Sequence, residues 1–127
     1  MEDGTTEDAL TRRIIGCAIN VHRALGPGLL ESAYEQCFAY ELVTSGLTIA
    51  RQVPLPVIYR DVRLECGYRI DIVVERQVNL ELKTVEKLLP IHDAQMLTYL
   101  RLANIRTGLL INFHTTTLKS GIKRLSL

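Results

Sequence analysis

The chain of 127 residues predicts an α/β domain in which helices flank a sheet. Three observations carry that expectation. Apolar residues recur at helical spacing through the first third, alternate with period two through the middle, and form a short continuous run after a third helical segment. A hydrophobic content of 47% with 23% charged residues suits a folded core, and the length suits one domain over residues 1–127.

The 15 basic and 14 acidic residues leave a formal net charge of +1. That balance excludes avid binding to a polyanion through bulk electrostatics, so any nucleic-acid contact must come from a local patch. Cys17, Cys37 and Cys66 are odd in number and widely spaced, with no Cys-x-x-Cys pair. This argues against a zinc site or a disulfide framework and for a reduced, cytoplasmic protein. No charged-then-apolar leader opens the sequence, and no apolar run is long enough to span a bilayer.

Taken in order, Met1 to Thr5 are polar and expected to fray, and Thr5 with Asp8 forms a capping-box pattern that opens a helix. Leu10, Ile14, Ala18, Val21 and Leu25 then make one buried stripe, which ends at Gly26-Pro27-Gly28. His22 lies beside that stripe with no partner at ligand spacing, which favours a packed or surface histidine over a metal ligand. A second helix is expected from Leu29 to Ser45, stopped by Gly46, with Leu30, Ala33, Tyr34, Cys37 and Phe38 on its apolar side. Glu31 falls in line with Phe38 and Leu42, at the margin of the buried stripe. Two explanations are open there: an acid held at a site, or an acid favoured at a helix N-terminus.

From Leu47 to Tyr59 the pattern becomes β-like, and Pro54 and Pro56 require an edge strand or a break. Arg60-Asp61 is expected to turn the chain into the strand that carries Asp71. Tyr68 to Lys83, YRIDIVVERQVNLELK, reads as a hairpin turning near Arg76. Tyr68, Ile70, Ile72 and Val74 share one face of its first strand, and Val78, Leu80 and Leu82 share one face of its second. Asp71, Glu81 and Lys83 fall opposite, with Asp71 and Glu81 as direct cross-strand neighbours. Like charges so placed repel. A divalent cation between them removes the penalty, and rigid oxygen ligands suit Mg²⁺ or Mn²⁺. The alternative is a solvated face on which Lys83 neutralises one acid.

Pro90 is a good first residue for a third helix, from Ile91 to Ala103. Ile91, Ala94, Thr98 and Leu102 form its expected stripe, and Gln95 and Tyr99 sit on it one turn apart. Their polar tips on a buried stripe suggest a site, although both residue types also satisfy nearby backbone. Leu109 to Phe113 fits a strand buried on both faces and, after a helical crossover, parallel to its neighbour. Lys119, Lys123 and Arg124 lie on a short basic strand or arm, where they either meet a phosphate backbone or guard an exposed edge.

Asp71 followed by Glu81-Leu82-Lys83 resembles the signature of the PD-(D/E)XK nuclease superfamily. Gly28-Leu29-Leu30-Glu31-Ser32-Ala33-Tyr34 resembles the motif of the GxxExxY family within it, as do Arg51-Gln52-Val53-Pro54-Leu55, Tyr68-Arg69-Ile70-Asp71 and His92-Asp93-Ala94-Gln95. Gln95 and Tyr99 are similar to the Gln-x-x-x-Tyr motif of RecB-type exonucleases. His114 and the glycine-free turn at Arg76 depart from the pattern without touching a ligand position.

The resemblance implies a three-layer α/β core with a mixed sheet and a metal-dependent phosphodiesterase site, but no known substrate; nucleic acid, DNA favoured over RNA, is the expected partner, and another phosphate-bearing substrate fits the same residues. Under it, Asp71, Glu81 and the Leu82 carbonyl hold Mg²⁺ (or Mn²⁺), with Glu31 reaching in directly or through water. Lys83 orients the nucleophile and stabilises charge on the scissile phosphate. Gln95 and Tyr99 position water or phosphate, and Arg69 is a phosphate contact. A small domain of this kind can dimerise to span a duplex. The rival is an inactive module of the same fold that serves protein binding or homodimerisation.

Overall fold

The computed structural model describes residues 3–127, with side chains from residue 9 onward. The side chains of Thr5 and Asp8, on which the cap pattern depends, and residues Met1 and Glu2 lie outside what is described, and the helix already includes Asp3 to Thr5 rather than opening at Thr5. Helix α1 runs over Asp3–Leu25 and helix α2 over Glu31–Thr44. Strands β1 (Ile49–Pro54), β4 (Arg69–Val74), β5 (Val78–Lys83), β6 (Thr107–Asn112) and β7 (Ile122–Ser126) form one sheet in the order β1-β4-β5-β6-β7. Strands β2 (Val57–Tyr59) and β3 (Val62–Leu64) form a separate two-stranded wing. Helix α3 (Pro90–Ala103) links β5 to β6, which are parallel; every other neighbouring pair is antiparallel. This is the expected mixed α/β sheet flanked by helices.

Three layers follow from where the apolar faces go. Ile14 and Ala18 of α1 and Tyr34, Phe38 and Leu42 of α2 pack with Ile72, Val74, Leu80, Leu82, Leu109 and Ile111 of the sheet. On the opposite face Met96 and Leu100 of α3 pack with Leu110. Gly108 lets α3 approach closely, because a Cβ there would lie 2.4 Å from Met96 Sδ. Strand β6 is buried along its whole length, as the continuous run required.

Several expectations shift. Helix α2 starts at Glu31 rather than Leu29, because Leu30 is still extended at ψ 148°; Leu30 is 77% exposed and Cys37 is also exposed. The side of α2 that is buried holds Tyr34, Glu35, Phe38, Ala39 and Leu42 instead. Leu25, at the end of the α1 stripe, is exposed. The prolines do place β1 at the sheet edge and end it at Pro54. Arg60-Asp61, both at positive φ, turn the chain into β3 rather than into the strand with Asp71.

The α3 stripe is the largest revision. Met96, Tyr99 and Leu100 are its buried residues, whereas Ile91 is 67% exposed and Ala94 is open to solvent. Both stripes are apolar at helical spacing, and only the position of the sheet chooses between them. His22 is buried, and its Nε2 lies 2.8 Å from the Thr115 carbonyl, a packing role.

Candidate active site

The hairpin register places Ile72 opposite Leu80 and Val74 opposite Val78, which continues to Asp71 opposite Glu81. Backbone pairing stops at Ile72 and Leu80, however. Beyond it the side chains take over: Glu81 Oε2 accepts the Asp71 N–H at 3.3 Å, and Asp71 Oδ2 accepts the Leu82 N–H at 2.8 Å. The two strands therefore splay at the acids. Ile70 leaves the face of Ile72 and Val74 and packs with Leu55, Val73 and Tyr99, a departure from strict alternation.

Burial sets the electrostatics. Glu81 is 5% exposed, and its pKa is pushed up to about 8 by burial first and by the Asp71 charge second. Asp71 is also raised, mainly by burial, against the stabilising Leu82 N–H. Glu31 stands at the first turn of α2 and is solvent-exposed, yet its pKa is raised by partial burial of the carboxylate and by Asp71. It faces the acidic corner from the helix side without being a core residue.

The Lys83 charge partly offsets the raised pKa values of Glu31, Asp71 and Glu81, but its direct partner is not an acid. Its Nζ lies 3.3 Å from Gln95 Oε1, and among the described residues no ion pair joins it to Asp71 or Glu81. Gln95 Nε2 in turn donates to the Tyr99 hydroxyl at 3.3 Å. Burial and the Glu81 charge raise the Tyr99 pKa, so it remains a phenol at neutral pH. The Lys83 backbone is held from the other side, where its carbonyl accepts the Phe113 N–H and Asn112 clamps Val85 through two hydrogen bonds. Lys83, Gln95 and Tyr99 also line a cleft of about 650 Å³ with Tyr68, Ile91 and Thr98.

Two contributors went unassigned from sequence. Glu35, one turn after Glu31, is buried and receives Gln52 Nε2 at 2.8 Å and Arg51 Nε at 3.2 Å. Gln52, at φ 50°, also reaches Asp71 Oδ1 at 3.5 Å, so it ties α2 to the hairpin. The available signal is Arg51-Gln52 within β1, but only the packing of α2 on the sheet shows the contact.

The glycine-to-tyrosine motif before and within α2 works as a positioning device. Gly28 takes φ +101°, and the fully buried Tyr34 receives the Leu29 N–H and donates to the Gly26 carbonyl while stacking on Phe113 at 4.6 Å. These contacts set where Glu31 begins the helix. His92 is likewise local, since its Nδ1 accepts the Leu89 N–H at the start of α3.

The basic C-terminal residues are not brought to this corner. Strand β7 is separated from β5 by β6; Lys123 pairs with Asp93 of α3, and Lys119 lines a groove with His22 on the α1 side. Arg124, on the same outer strand, is exposed. Arg69 stands closer, with its guanidinium donating to the Gln52 carbonyl at 3.4 Å.

Among the described residues, no group of three or more His, Cys, Asp or Glu side chains is gathered closely enough to hold a metal ion. Asp71 and Glu81 are brought together as a pair, each accepting a backbone N–H from the other's strand. No helix among the described residues is long and apolar enough to cross a membrane. No curated protein and no solved structure matches the chain. The family model of the PD-(D/E)XK nuclease superfamily matches residues 8–125, and on that match, which spans nearly the whole of the fold and the hairpin with Asp71, Glu81 and Lys83, the chain belongs to that superfamily.

Proposed function

We propose that this chain is a divalent-cation-dependent phosphodiesterase acting on nucleic acid, DNA in preference to RNA, as a single cytoplasmic domain of the GxxExxY group with a RecB-type Gln-x-x-x-Tyr pair. The observation that carries the proposal is the pair of crowded carboxylates, Asp71 and Glu81, whose pKa values are both raised while Lys83 is held by Gln95 instead. Such a pair of hard oxygen donors fits Mg²⁺ or Mn²⁺ in kind. Asp71, Glu81 and the Leu82 carbonyl would hold the ion, with Glu31 approaching from α2 directly or through water. When bound, a cation of this type supplies Lewis-acid polarisation of a phosphoryl oxygen and a more acidic water.

The chain's own groups do the rest. Lys83 Nζ presents its remaining protons toward the cleft, where it orients the attacking water and stabilises charge developing on the phosphoryl oxygens, the role that removal experiments elsewhere put at about 10²- to 10³-fold in rate. Gln95 accepts from Lys83 and donates to Tyr99, and this fixes the ammonium; the Tyr99 hydroxyl proton stays available to a phosphate oxygen. Glu35, through Gln52, restrains Asp71. Arg69 lies beside the same strand end and supplies a phosphate contact.

The test is cleavage of single- and double-stranded DNA and RNA with and without divalent metal, comparing the native chain with Asp71→Ala and Lys83→Ala. Metal-dependent cleavage lost in both variants is expected; unchanged cleavage in both rejects the assignment. Metal binding is checked separately by a rise in melting temperature with millimolar Mn²⁺, which Asp71→Ala removes.

The β2–β3 wing favours a second reading alongside the first. Ile58, Tyr59, Val62 and Leu64 are large apolar residues exposed together there. In that reading the wing pairs two copies of the chain, whether or not the site is active. Sedimentation of the native chain against Ile58→Ser/Val62→Ser decides it: a dimer converted to a monomer supports pairing, and a monomer in both rejects it.

A further inference from the structure

The cleft beside Lys83 is apolar where a duplex-binding groove is basic. Among the described residues its walls are Ile91, Ala94, Thr98 and Leu102 of α3 on one side and Val57 and Tyr68 on the other, and Lys83 is the only lysine or arginine among its lining residues. Gripping a duplex requires several cations spaced along the phosphates, since neutralising phosphates supplies most of the affinity. This cleft holds one, so what it offers any strand is apolar and stacking contact rather than phosphate neutralisation. Its size, about 650 Å³, falls within the range of small-molecule sites.

The aromatic residues give the cleft a direction. Tyr99 is buried beneath, and Tyr68 packs its edge against it, with ring centroids 6.0 Å apart and planes at 62°. That contact holds Tyr68 while leaving it 46% exposed. A half-exposed aromatic ring braced by a second ring, beside an apolar cleft that Lys83 also lines, has the features of a base-stacking platform. Arg69, the next residue, is exposed on the same strand end.

We propose that this cleft holds an unpaired nucleobase of a single-stranded or frayed strand, stacked on Tyr68 and enclosed by Ile91, Ala94 and Leu102, with the adjoining phosphate at Lys83. The substrate class is thereby narrowed to strands with unpaired bases at the cleavage point. This rests on the nuclease reading for the chemistry at Lys83 but not for the stacking. A base inside a duplex has both faces stacked on its neighbours, so only an unstacked base offers a face to Tyr68.

The experiment is fluorescence anisotropy of the native chain in EDTA, where no metal-dependent cleavage competes. The probes are a labelled oligodeoxythymidine, an oligouridine of the same length, an abasic sugar-phosphate strand of the same length, and a blunt duplex. At least one base-bearing strand is expected to bind about 10-fold more tightly than both the abasic strand and the duplex, within the range for one stacked base. Tyr68→Ala is expected to lose that advantage and Tyr68→Phe to retain it; Tyr68→Phe keeps the ring packed on Tyr99, and an unchanged melting temperature in Tyr68→Ala separates lost stacking from lost folding. Equal affinity for base-bearing and abasic strands, or an advantage unchanged in Tyr68→Ala, overturns the proposal. Metal-dependent cleavage of duplex alone, with no base-dependent binding, overturns this inference and leaves the nuclease reading standing. Base-dependent binding without cleavage under any metal does the reverse.

Discussion

The acidic side of the site and its apolar side meet at Lys83 but are built by different means. Asp71, Glu81, Glu31 and Glu35 come from three elements locked by hydrogen bonds to Gln52, Arg51 and the Leu82 N–H. The burial that raises the pKa values of Glu81, Asp71 and Glu31 crowds charge at this corner. The apolar side, by contrast, is an open wall on which Ile91 is exposed and Tyr68 half-exposed. One side stores charge and is suited to chemistry; the other stores unburied apolar surface and is suited to binding. Gln95 joins them, because it holds the ammonium of one side from the helix of the other.

Breaking that joint tests the division. Lys83→Met is expected to reduce metal-dependent cleavage by about 10³-fold, the upper range for removing one preorganised charge, while single-strand affinity in EDTA falls only a few-fold. Single-turnover cleavage and anisotropy on the same preparation check both halves. A parallel loss of affinity and rate would merge the two sides into one.

The acidic side alone is sharpened by pH. The Glu81 pKa of about 8 in the folded chain lies above its ordinary value of 4.5, so the folded state holds a proton that the unfolded state has released between those values. The associated stability is present below about pH 4.5 and is lost as the pH rises through about 8. In EDTA the native chain is therefore expected to melt several degrees lower at pH 9 than at pH 5, beyond any drift seen in Glu81→Gln, which has nothing to titrate there. Identical pH profiles for the two proteins would show that Glu81 is not held protonated. Millimolar Mn²⁺ is expected to reduce the difference, because a cation favours the ionised pair.

The smallest effect concerns the joint itself. Gln95→Leu keeps the volume but frees the Lys83 ammonium, and a loss of about 10-fold in kcat with little change in KM is expected. Because the Tyr99 hydroxyl loses its neighbour in the same change, Tyr99→Phe serves as the control, and a smaller loss there assigns the effect to Lys83. Equal losses would place the role on Tyr99.

How much of this was legible follows the range of each signal. The hairpin is readable because register across a tight turn is local: once the turn lies near Arg76, Val74 must face Val78 and Ile72 must face Leu80, which brings Asp71 and Glu81 to the same end. The buried parallel strand was readable because β6 is apolar without interruption. The α3 stripe was misassigned because that helix carries two apolar faces, one for the sheet and one for the cleft. Glu35 was invisible for a related reason. A buried acid in a helix looks like a surface acid until its partners on β1 are in place.

By itself, then, the sequence determined the α/β class, the local register of the hairpin, the buried crossover strand and the resemblance to the superfamily that the family model matches. Those are matters of periodicity and short-range geometry. Tertiary structure alone decided that Lys83 is held by Gln95 rather than by an acid, that Gln52 and Glu35 brace Asp71, and that Tyr68 stands half-exposed over an apolar cleft. Each depends on residues far apart in the chain meeting at one corner, where burial rather than residue type sets charge, and where packing rather than pattern chooses which apolar face remains open.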